Sequence, residues 1–209
     1  MTIRTLSRAA LTAGLVALLA AVPGGAAKPP PGPAKVRVNM ITAAGPILIE
    51  LEARRAPITT ANFLYYVDHK FFDGMNFYRA ARAKGAPKQG FIQGGTNGDI
   101  RKWAPPIAHE PTTKTGLRHG DGTISMARTA PGTAQGEFFL IVGDASYMNA
   151  NPKAKGDNLG FAAFGHVVKG MDVIRKILAS PTIPKAGMGA MKGQFIKAPV
   201  KIISVRRAP

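Results

Sequence analysis

The sequence predicts one mostly β domain whose short strands pair antiparallel and close into a barrel. Strand-like runs recur along the chain, and turn signals separate them about every 8–12 residues. Glycine (24 residues) and proline (17 residues) are plentiful, whereas aromatic residues make up only 7%. Only two segments have a helical pattern, so the alternation of strands and helices that builds a parallel sheet is not expected. The apolar fraction of 45% is that of a globular protein.

The first part of this domain is predicted to be a β-hairpin followed by a helix. Val36–Met40 alternates apolar and polar residues, as a half-buried strand does, and Ile47–Leu51 returns after a turn at residues 42–45. A helix is predicted to begin at Pro57, because the first helical turn needs no proline N–H. Its apolar face consists of Phe63, Leu64 and Val67.

The rest of the chain alternates between short strands and loops. The further predicted strands are Asn76–Ala80, Phe91–Gly95, Thr123–Ala127, Phe138–Val142, Phe161–Val168 and Val200–Val205. A second helix is predicted over Met171–Leu178. Three segments are predicted to be loops: polar Ala83–Gln89, the polar insertion Asn149–Gly160, and the glycine-, proline- and methionine-rich Pro181–Pro199.

Residues 1–27 have the pattern of a cleavable signal peptide. Arg4 and Arg8 form a basic start, and the apolar run Ala9–Val22 is short for a membrane span. Small residues follow, so cleavage is expected after Ala26 or Ala27. An uncleaved membrane anchor is the alternative. We therefore expect a periplasmic or secreted protein.

The mature chain is expected to begin with a spacer. Residues 28–34 are rich in proline and should be extended, which leaves residues 35–209 as the folded domain. The chain has no cysteine. Disulfides, thiol catalysis, cysteine-ligated metals and a lipid anchor on cysteine are therefore excluded.

The chain is strongly basic, with a formal net charge of +17. Such a charge attracts anionic surfaces, nucleic acid or acidic polypeptides. The cations are scattered, however, and no basic tail or recognition helix is present. We expect no specific nucleic-acid binding, while weak binding to anionic surfaces stays open.

The usual signatures of hydrolytic and metal chemistry are missing. The four histidines follow no metal-binding spacing: His69, His109, His119 and His166. Ser125 lies in a strand rather than in a GxSxG elbow, and no phosphate-binding GxxxxGK[ST] loop occurs. Glu137 and Asp144 could form a carboxylate pair, but their spacing indicates little about distance. No cofactor and no metal are expected.

What remains is one arginine in an apolar context. Arg79 lies in a strand-like run, and the neighbouring run supplies the aromatic Phe91 and the amide Gln93. A cation beside an apolar patch with one amide suits binding of an uncharged peptide backbone better than hydrolysis. Taken alone, such an arginine is more often a surface or salt-bridge residue.

Seven runs taken together resemble the cyclophilin family of peptidyl-prolyl isomerases, and in particular its divergent bacterial branch. In family order they are Gly45–Leu51, Ala56–Phe63, Phe77–Arg79, Phe91–Gly95, Gly122–Ala127, Phe138–Phe139 and Phe161–Gly165. They cover roughly Val36 to Val205. The resemblance implies a closed eight-stranded antiparallel barrel capped by two α-helices, with the active groove on its outer face.

The resemblance also implies the site residues. Arg79 would be the catalytic arginine, and Gln93 would hold both substrate and arginine. Phe139 would line the proline pocket, with Met148 at a position where the family has leucine. The spacing before Gln93 places either Phe91 or its neighbour Gly90 at the family's phenylalanine position.

Several expected substrate contacts depart from the family pattern. Ala127 and Arg128 would flank the substrate backbone, with Arg128 where asparagine is common. Glu137 replaces a glutamine, Tyr147 a tryptophan and Phe161 a histidine. If Glu137 paired with the catalytic arginine, it would orient the guanidinium and also compete with substrate for it.

The function that the resemblance implies is acceleration of X–Pro isomerisation during folding of exported proteins. The expected partners are proline-containing unfolded or extended polypeptides, and the protein is expected to be a monomer. The alternative is a non-catalytic peptide-binding chaperone on the same scaffold, which the altered pocket residues motivate.

Overall fold

The computed structural model of this protein describes residues 33–209. The predicted signal peptide (residues 1–27) and most of the predicted spacer (residues 28–34) lie outside the described residues. The strands are β1 (Val36–Thr42), β2 (Gly45–Leu51), β3 (Asn76–Ala83), β4 (Ala86–Gly95), β5 (Thr123–Met126), β6 (Phe138–Val142), β7 (Ala162–Lys169) and β8 (Phe195–Ala208). The helices are α1 (Pro57–Asp68), the single turn α2 (Thr112–Thr115) and α3 (Met171–Leu178).

The eight strands close into an antiparallel barrel. Around it the neighbours run β1, β2, β7, β5, β6, β4, β3 and β8, and β8 pairs again with β1. The predicted fold class is thereby confirmed. The predicted helices both form, and α2 is a short third helix that the sequence pattern did not indicate.

The barrel interior is filled by aliphatic side chains and a cluster of phenylalanines. Phe63 of α1 packs edge-on against Phe138 of β6, with ring centroids 5.4 Å apart. Phe72 and Phe164 complete the contacts of Phe63. The apolar face predicted for α1 is therefore the face that packs against the barrel.

Strand β6 is buried on both of its faces. Because side chains alternate along a strand, Phe138 and Leu140 point into the barrel core. Phe139 and Ile141 belong instead to a second apolar cluster on the outside, with Met148. This outer cluster is the apolar floor of the candidate site.

Two predicted loop boundaries are wrong. Ala83–Gln89 was expected to be a loop, but Ala83 pairs with Ala86 and only a tight turn lies between them. Gly85 adopts a left-handed conformation (φ 79°) in that turn, which glycine permits at little cost. The loop predicted over Pro181–Pro199 ends earlier, at residue 194.

The proline at position 199 explains the second error. Proline lacks the N–H that a strand ladder uses, so it argues against a strand. Here Pro199 lies where the pairing of β8 with β3 is interrupted, between the pairs Phe77↔Val200 and Arg79↔Phe195.

Candidate active site

A cavity of about 700 Å³ opens on the outer face of the barrel. Its floor is formed by β3, β4 and β6, and loops that follow β4, β5 and β6 form its walls. Nine of the ten predicted site residues line it: Arg79, Phe91, Gln93, Ala127, Arg128, Glu137, Phe139, Met148 and Phe161.

Strand register brings the central residues together. Arg79 on β3 lies opposite Gln93 on β4, and Gln93 lies opposite Phe139 on β6. Directly paired residues on neighbouring strands project from the same face of a sheet. A cation, an amide and an aromatic ring therefore form one row across the outside of the barrel.

The Arg79 guanidinium is held from two sides by amide oxygens. Its Nη1 donates to Gln93 Oε1 and its Nε donates to Gln194 Oε1, each at 2.8 Å. Its Cζ lies 5.0 Å from the centre of the Phe91 ring, within cation–π range. Partial burial lowers the pKa of Arg79, but an arginine stays charged at working pH.

A chain of hydrogen bonds continues from Gln93 to Glu137. Gln93 Nε2 donates to the Tyr78 hydroxyl at 2.7 Å, and that hydroxyl donates to Glu137 Oε2 at 2.7 Å. Glu137 Oε1 accepts from the Asn97 backbone N–H at 2.6 Å. Glu137 therefore reaches Arg79 only through two intermediate side chains, and the direct pair considered from the sequence does not form.

Burial shifts the pKa values of two side chains in this series of hydrogen bonds, Glu137 and Tyr78. Desolvation raises the pKa of Glu137, although hydrogen bonds from Tyr78 and Asn97 oppose the rise. Desolvation, together with the Glu137 charge, raises the pKa of Tyr78. The tyrosine consequently stays protonated and acts as a donor to the carboxylate.

Four large apolar side chains lie together in the cavity. Phe139 lies at its centre, 5.2 Å from the Phe91 ring and 5.4 Å from the Phe161 ring. Met148 completes the wall. The ring at this place belongs to Phe91, and Gly90 beside it has no room for a side chain, since a Cβ there would lie 2.0 Å from the Ala81 carbonyl oxygen.

Arg128 lies at the rim, but its guanidinium is already engaged. It forms a two-pronged ion pair with Asp157, and its Nε donates to the Gly160 carbonyl at 3.0 Å. The guanidinium also lies 5.2 Å from the Phe161 ring centre, and only 4% of the side chain is exposed. Arg128 thus fastens the insertion at residues 149–160 to the groove wall.

Tyr147 is the predicted residue that does not line this cavity. It lies in the short turn Ser146–Met148 and is 75% exposed. It borders a second cavity of about 320 Å³, which shares Arg128, Met148 and Phe161 with the first. The two cavities are therefore adjacent parts of one groove.

Two polar residues at the site, Tyr78 and Gln194, were not predicted from the sequence. Tyr78 precedes Arg79 and would be expected on the opposite face of β3. A β-bulge at Tyr78 gives β3 one extra residue, because Phe77 pairs with Gly94 and Arg79 with Gln93. Bulges re-aim side chains in this way. Gln194 is 115 positions from Arg79, and no local signal connects them.

A buried polar trio lies behind Phe139. His119 Nδ1 is 2.8 Å from Asn149 Oδ1, its Nε2 is 2.9 Å from Ser125 Oγ, and its ring stacks on Phe139. The Asn149 oxygen also accepts the His119 backbone N–H. The imidazole therefore carries its proton on Nδ1 and accepts from the serine. Because His119 and Ser125 are buried, the trio presents no nucleophile to the cavity.

Two features are absent from residues 33–209. In this part of the chain no three histidine, aspartate or glutamate side chains are grouped so that they could hold a metal ion. No helix within it has the length and apolar character needed to cross a membrane.

A comparison with known protein families shows where this chain belongs. Residues 37–207 match the model described as cyclophilin-type peptidyl-prolyl cis-trans isomerase/CLD. The chain belongs to the cyclophilin family. This cyclophilin is accordingly a peptidyl-prolyl cis-trans isomerase, and the family resemblance read from its seven runs is confirmed.

Bacterial relatives agree with this assignment. A peptidyl-prolyl cis-trans isomerase of Acinetobacter baylyi is 39% identical over 177 residues, which are 83% of this chain and 86% of the relative. Isomerase A of Dickeya dadantii is 38% identical over 143 residues, 67% of this chain and 70% of the relative. Isomerase B of Escherichia coli is 33% identical and covers 80% of this chain and 97% of its own.

Solved structures show the same fold at low identity. A Cryptosporidium parvum cyclophilin-type isomerase superimposes with a TM-score of 0.63 at 18% identity, covering 84% of this cyclophilin and 98% of its own chain. A structure of the same protein in the presence of the dipeptide Ala-Pro gives a TM-score of 0.65 at 18% identity, with 83% and 99% covered.

Proposed function

We propose that this cyclophilin isomerises X–Pro bonds in the groove beside Arg79 and that it assists the folding of exported polypeptides. The observation that carries the proposal is the two-sided fixation of the Arg79 guanidinium at the edge of the pocket formed by Phe91 and Phe139. The groove thus pairs a fixed cation with an apolar surface large enough for a prolyl ring.

The reaction needs no nucleophile, because no bond is made or broken. The barrier of about 18–20 kcal/mol comes from the partial double bond of the amide. In the twisted transition state the proline nitrogen regains its lone pair. Arg79 can donate to that lone pair, an interaction that the planar ground state lacks, and only such differential interactions accelerate the step.

The hydrogen bonds of Arg79 leave only its terminal nitrogens free to donate to the substrate. Nε and Nη1 already donate to Gln194 and Gln93, whereas Nη2 has no hydrogen-bond partner among the described residues. Because Nη1 keeps a second N–H, we assign the transition-state contact to a free terminal N–H of Nη2 or Nη1. A turnover of about 1–10³ s⁻¹ requires the barrier to fall by roughly 3–7 kcal/mol, which one charged donor plus binding in a partly dry pocket can supply.

The clients proposed are proline-containing polypeptides in unfolded or extended form. The open groove on the barrel's outer face admits an extended chain, and a related isomerase was solved with an Ala-Pro dipeptide present. The export role is supported by the basic and apolar pattern of residues 1–27. Amino-terminal sequencing of the exported protein tests it: a start at Ala27 or Lys28 supports export with cleavage, and retention of Met1 contradicts it.

The activity is tested with Arg79→Ala in a proline-limited peptide assay. We expect kcat/KM to fall at least about 100-fold, with KM changing less than kcat, because the lost contact belongs to the transition state. Arg79→Lys should recover little, since lysine lacks the planar fork that two amide oxygens hold. Circular dichroism of both variants controls for folding.

The same measurement distinguishes an isomerase from a non-catalytic peptide-binding chaperone. If wild type and Arg79→Ala are equally slow, the protein is no isomerase at this site and the non-catalytic peptide-binding chaperone takes its place.

A further inference from the structure

Exposed apolar side chains gather around the mouth of the groove. The described chain exposes eleven large hydrophobic residues. Five of them lie on the three segments that border the cavity, and we call these five the apolar collar: Ile100, Trp103, Tyr147, Met188 and Met191. Single exposed apolar residues are normal on a protein surface, but a group around one cavity marks an interaction site.

The three collar segments surround the cavity. Trp103 and Met191 line it directly, and Ile100 shares a short helical turn with the residues before Trp103. Met188 begins the turn that leads to Met191, and Tyr147 directly precedes the cavity residue Met148. The most exposed members are Met188 (85%), Tyr147 (75%) and Ile100 (71%).

Backbone hydrogen bonds hold these segments in place. The Met191 N–H donates to the Met188 carbonyl, and the Gly193 N–H closes the same loop on the Ala186 carbonyl at 2.8 Å. In a second collar segment the Trp103 N–H donates to the Ile100 carbonyl at 3.2 Å. The side chains are therefore displayed by closed turns.

The charges near the collar indicate what binds there. Four lysines on two of the bordering loops have no carboxylate partner among the described residues: Lys153, Lys155, Lys185 and Lys192. They favour a partner that carries carboxylates as well as apolar side chains. A second copy of this chain, with its net charge of +17, is the wrong sign for such a surface.

We propose that the collar binds apolar, acidic segments on both sides of the proline, so that the preferred substrate is an unfolded polypeptide rather than a short peptide. This inference rests on the proposed function, because the groove inside the collar is the isomerisation site. A peptide of a few residues fills the 700 Å³ cavity and stops short of Ile100 and Met188. A longer chain passing through the groove must cross the collar on its way out.

The test compares Ile100→Ser and Met188→Ser on two substrates. On a tetrapeptide with one Ala–Pro bond, both variants should keep kcat/KM within about twofold of wild type. In proline-limited refolding of an acidic protein, kcat/KM should fall about five- to tenfold through KM, since apolar contact area is lost. Ile203→Ser is the matched control, because Ile203 is 51% exposed on β8 and lines neither cavity.

Direct binding supplies the second readout. Reduced, carboxymethylated α-lactalbumin stays unfolded and acidic, and its affinity should fall about fivefold or more in Met188→Ser but not in Ile203→Ser. Equal behaviour of Met188→Ser, Ile203→Ser and wild type on both probes overturns the proposal. So does Met188-dependent binding to phosphatidylglycerol vesicles without any effect on the unfolded protein. A wild type that fails on the tetrapeptide would instead refute the isomerase function, while the binding measurement still decides the collar.

Discussion

Two glutamine side chains contact Arg79, and a neutral amide is well suited to orient a charged donor. Gln93 and Gln194 accept hydrogen bonds through neutral oxygens, so they orient the guanidinium without neutralising its charge. A carboxylate in either place would pair with the cation and compete with substrate. The acid in this cavity, Glu137, is kept two side chains away and bonds to Tyr78 instead.

Gln194 is predicted to position Arg79 for the reaction. Gln194→Leu removes a hydrogen bond to a charged group, a contact worth about 1.5–3 kcal/mol, so kcat should fall roughly 10- to 100-fold. KM should change little, because the apolar pocket is untouched. The measurement is the peptide assay with kcat and KM resolved separately.

The matched control for Gln194 is another glutamine. Gln89→Leu changes an exposed amide on β4 that does not line either cavity, so it should retain full activity. Wild-type kcat in Gln194→Leu would show that Gln93 alone orients the arginine.

At the scale of elements, helix α1 depends on a distant side chain for its amino-terminal cap. Ala56 at the N-cap position forms no side-chain bond. Glu110, 51 positions away from Thr59, provides the acceptors: Oε2 bonds the Thr59 N–H at 2.8 Å and the Thr59 hydroxyl at 2.7 Å. A carboxylate also complements the positive end of the helix dipole.

Glu110→Gln is therefore predicted to destabilise the fold. The amide keeps one oxygen and places an NH₂ group against donors, at a residue that is 1% exposed. We expect a loss of about 1–3 kcal/mol in the free energy of unfolding, measured by urea denaturation, with kcat/KM unchanged.

Asp144→Asn is the control for the loss of unfolding free energy expected in Glu110→Gln. Asp144 caps a surface turn through the Ser146 N–H at 3.1 Å and is exposed, so its replacement should cost less than about 1 kcal/mol. Equal losses in the two variants would mean that the buried cap contributes nothing special to α1.

For the whole molecule, the buried His119 and the half-buried His109 set a pH dependence of stability. Burial lowers the pKa of His119 and also that of His109. Unfolded histidine takes up a proton near pH 6.5, so below that pH the unfolded chain binds protons that the native chain resists. The histidine contribution to stability is full above about pH 6.5. It is lost as the pH falls from there toward the lowered pKa values of the native histidines.

The expected outcome is a free energy of unfolding that decreases from pH 7 to pH 5. His119→Gln should show a shallower decrease; His109 contributes in the same direction, and the raised pKa of Glu137 opposes both. Urea denaturation at pH 7, 6 and 5 measures both slopes. An unchanged slope in His119→Gln would contradict the assignment of this pH dependence to the buried trio.

The sequence by itself determined the eight strands in outline and both longer helices, and the family resemblance singled out Arg79, Gln93 and Phe139. These features are local: alternation with period two selects the face of a strand, and the antiparallel order then aligns the faces of neighbours. The family motifs are local as well, which is why nine of ten predicted side chains line one cavity.

Only the tertiary structure showed which side chains contact Arg79 and how the other site residues are oriented. Barrel closure brings Gln194 to Arg79, a bulge turns Tyr78 into the groove, and Tyr147 is left on the rim. Register shifts and contacts across more than 100 residues leave no periodic trace in a sequence, since they depend on how the barrel's last strand meets its third. Arg79 could therefore be singled out from the sequence, but its orientation could not.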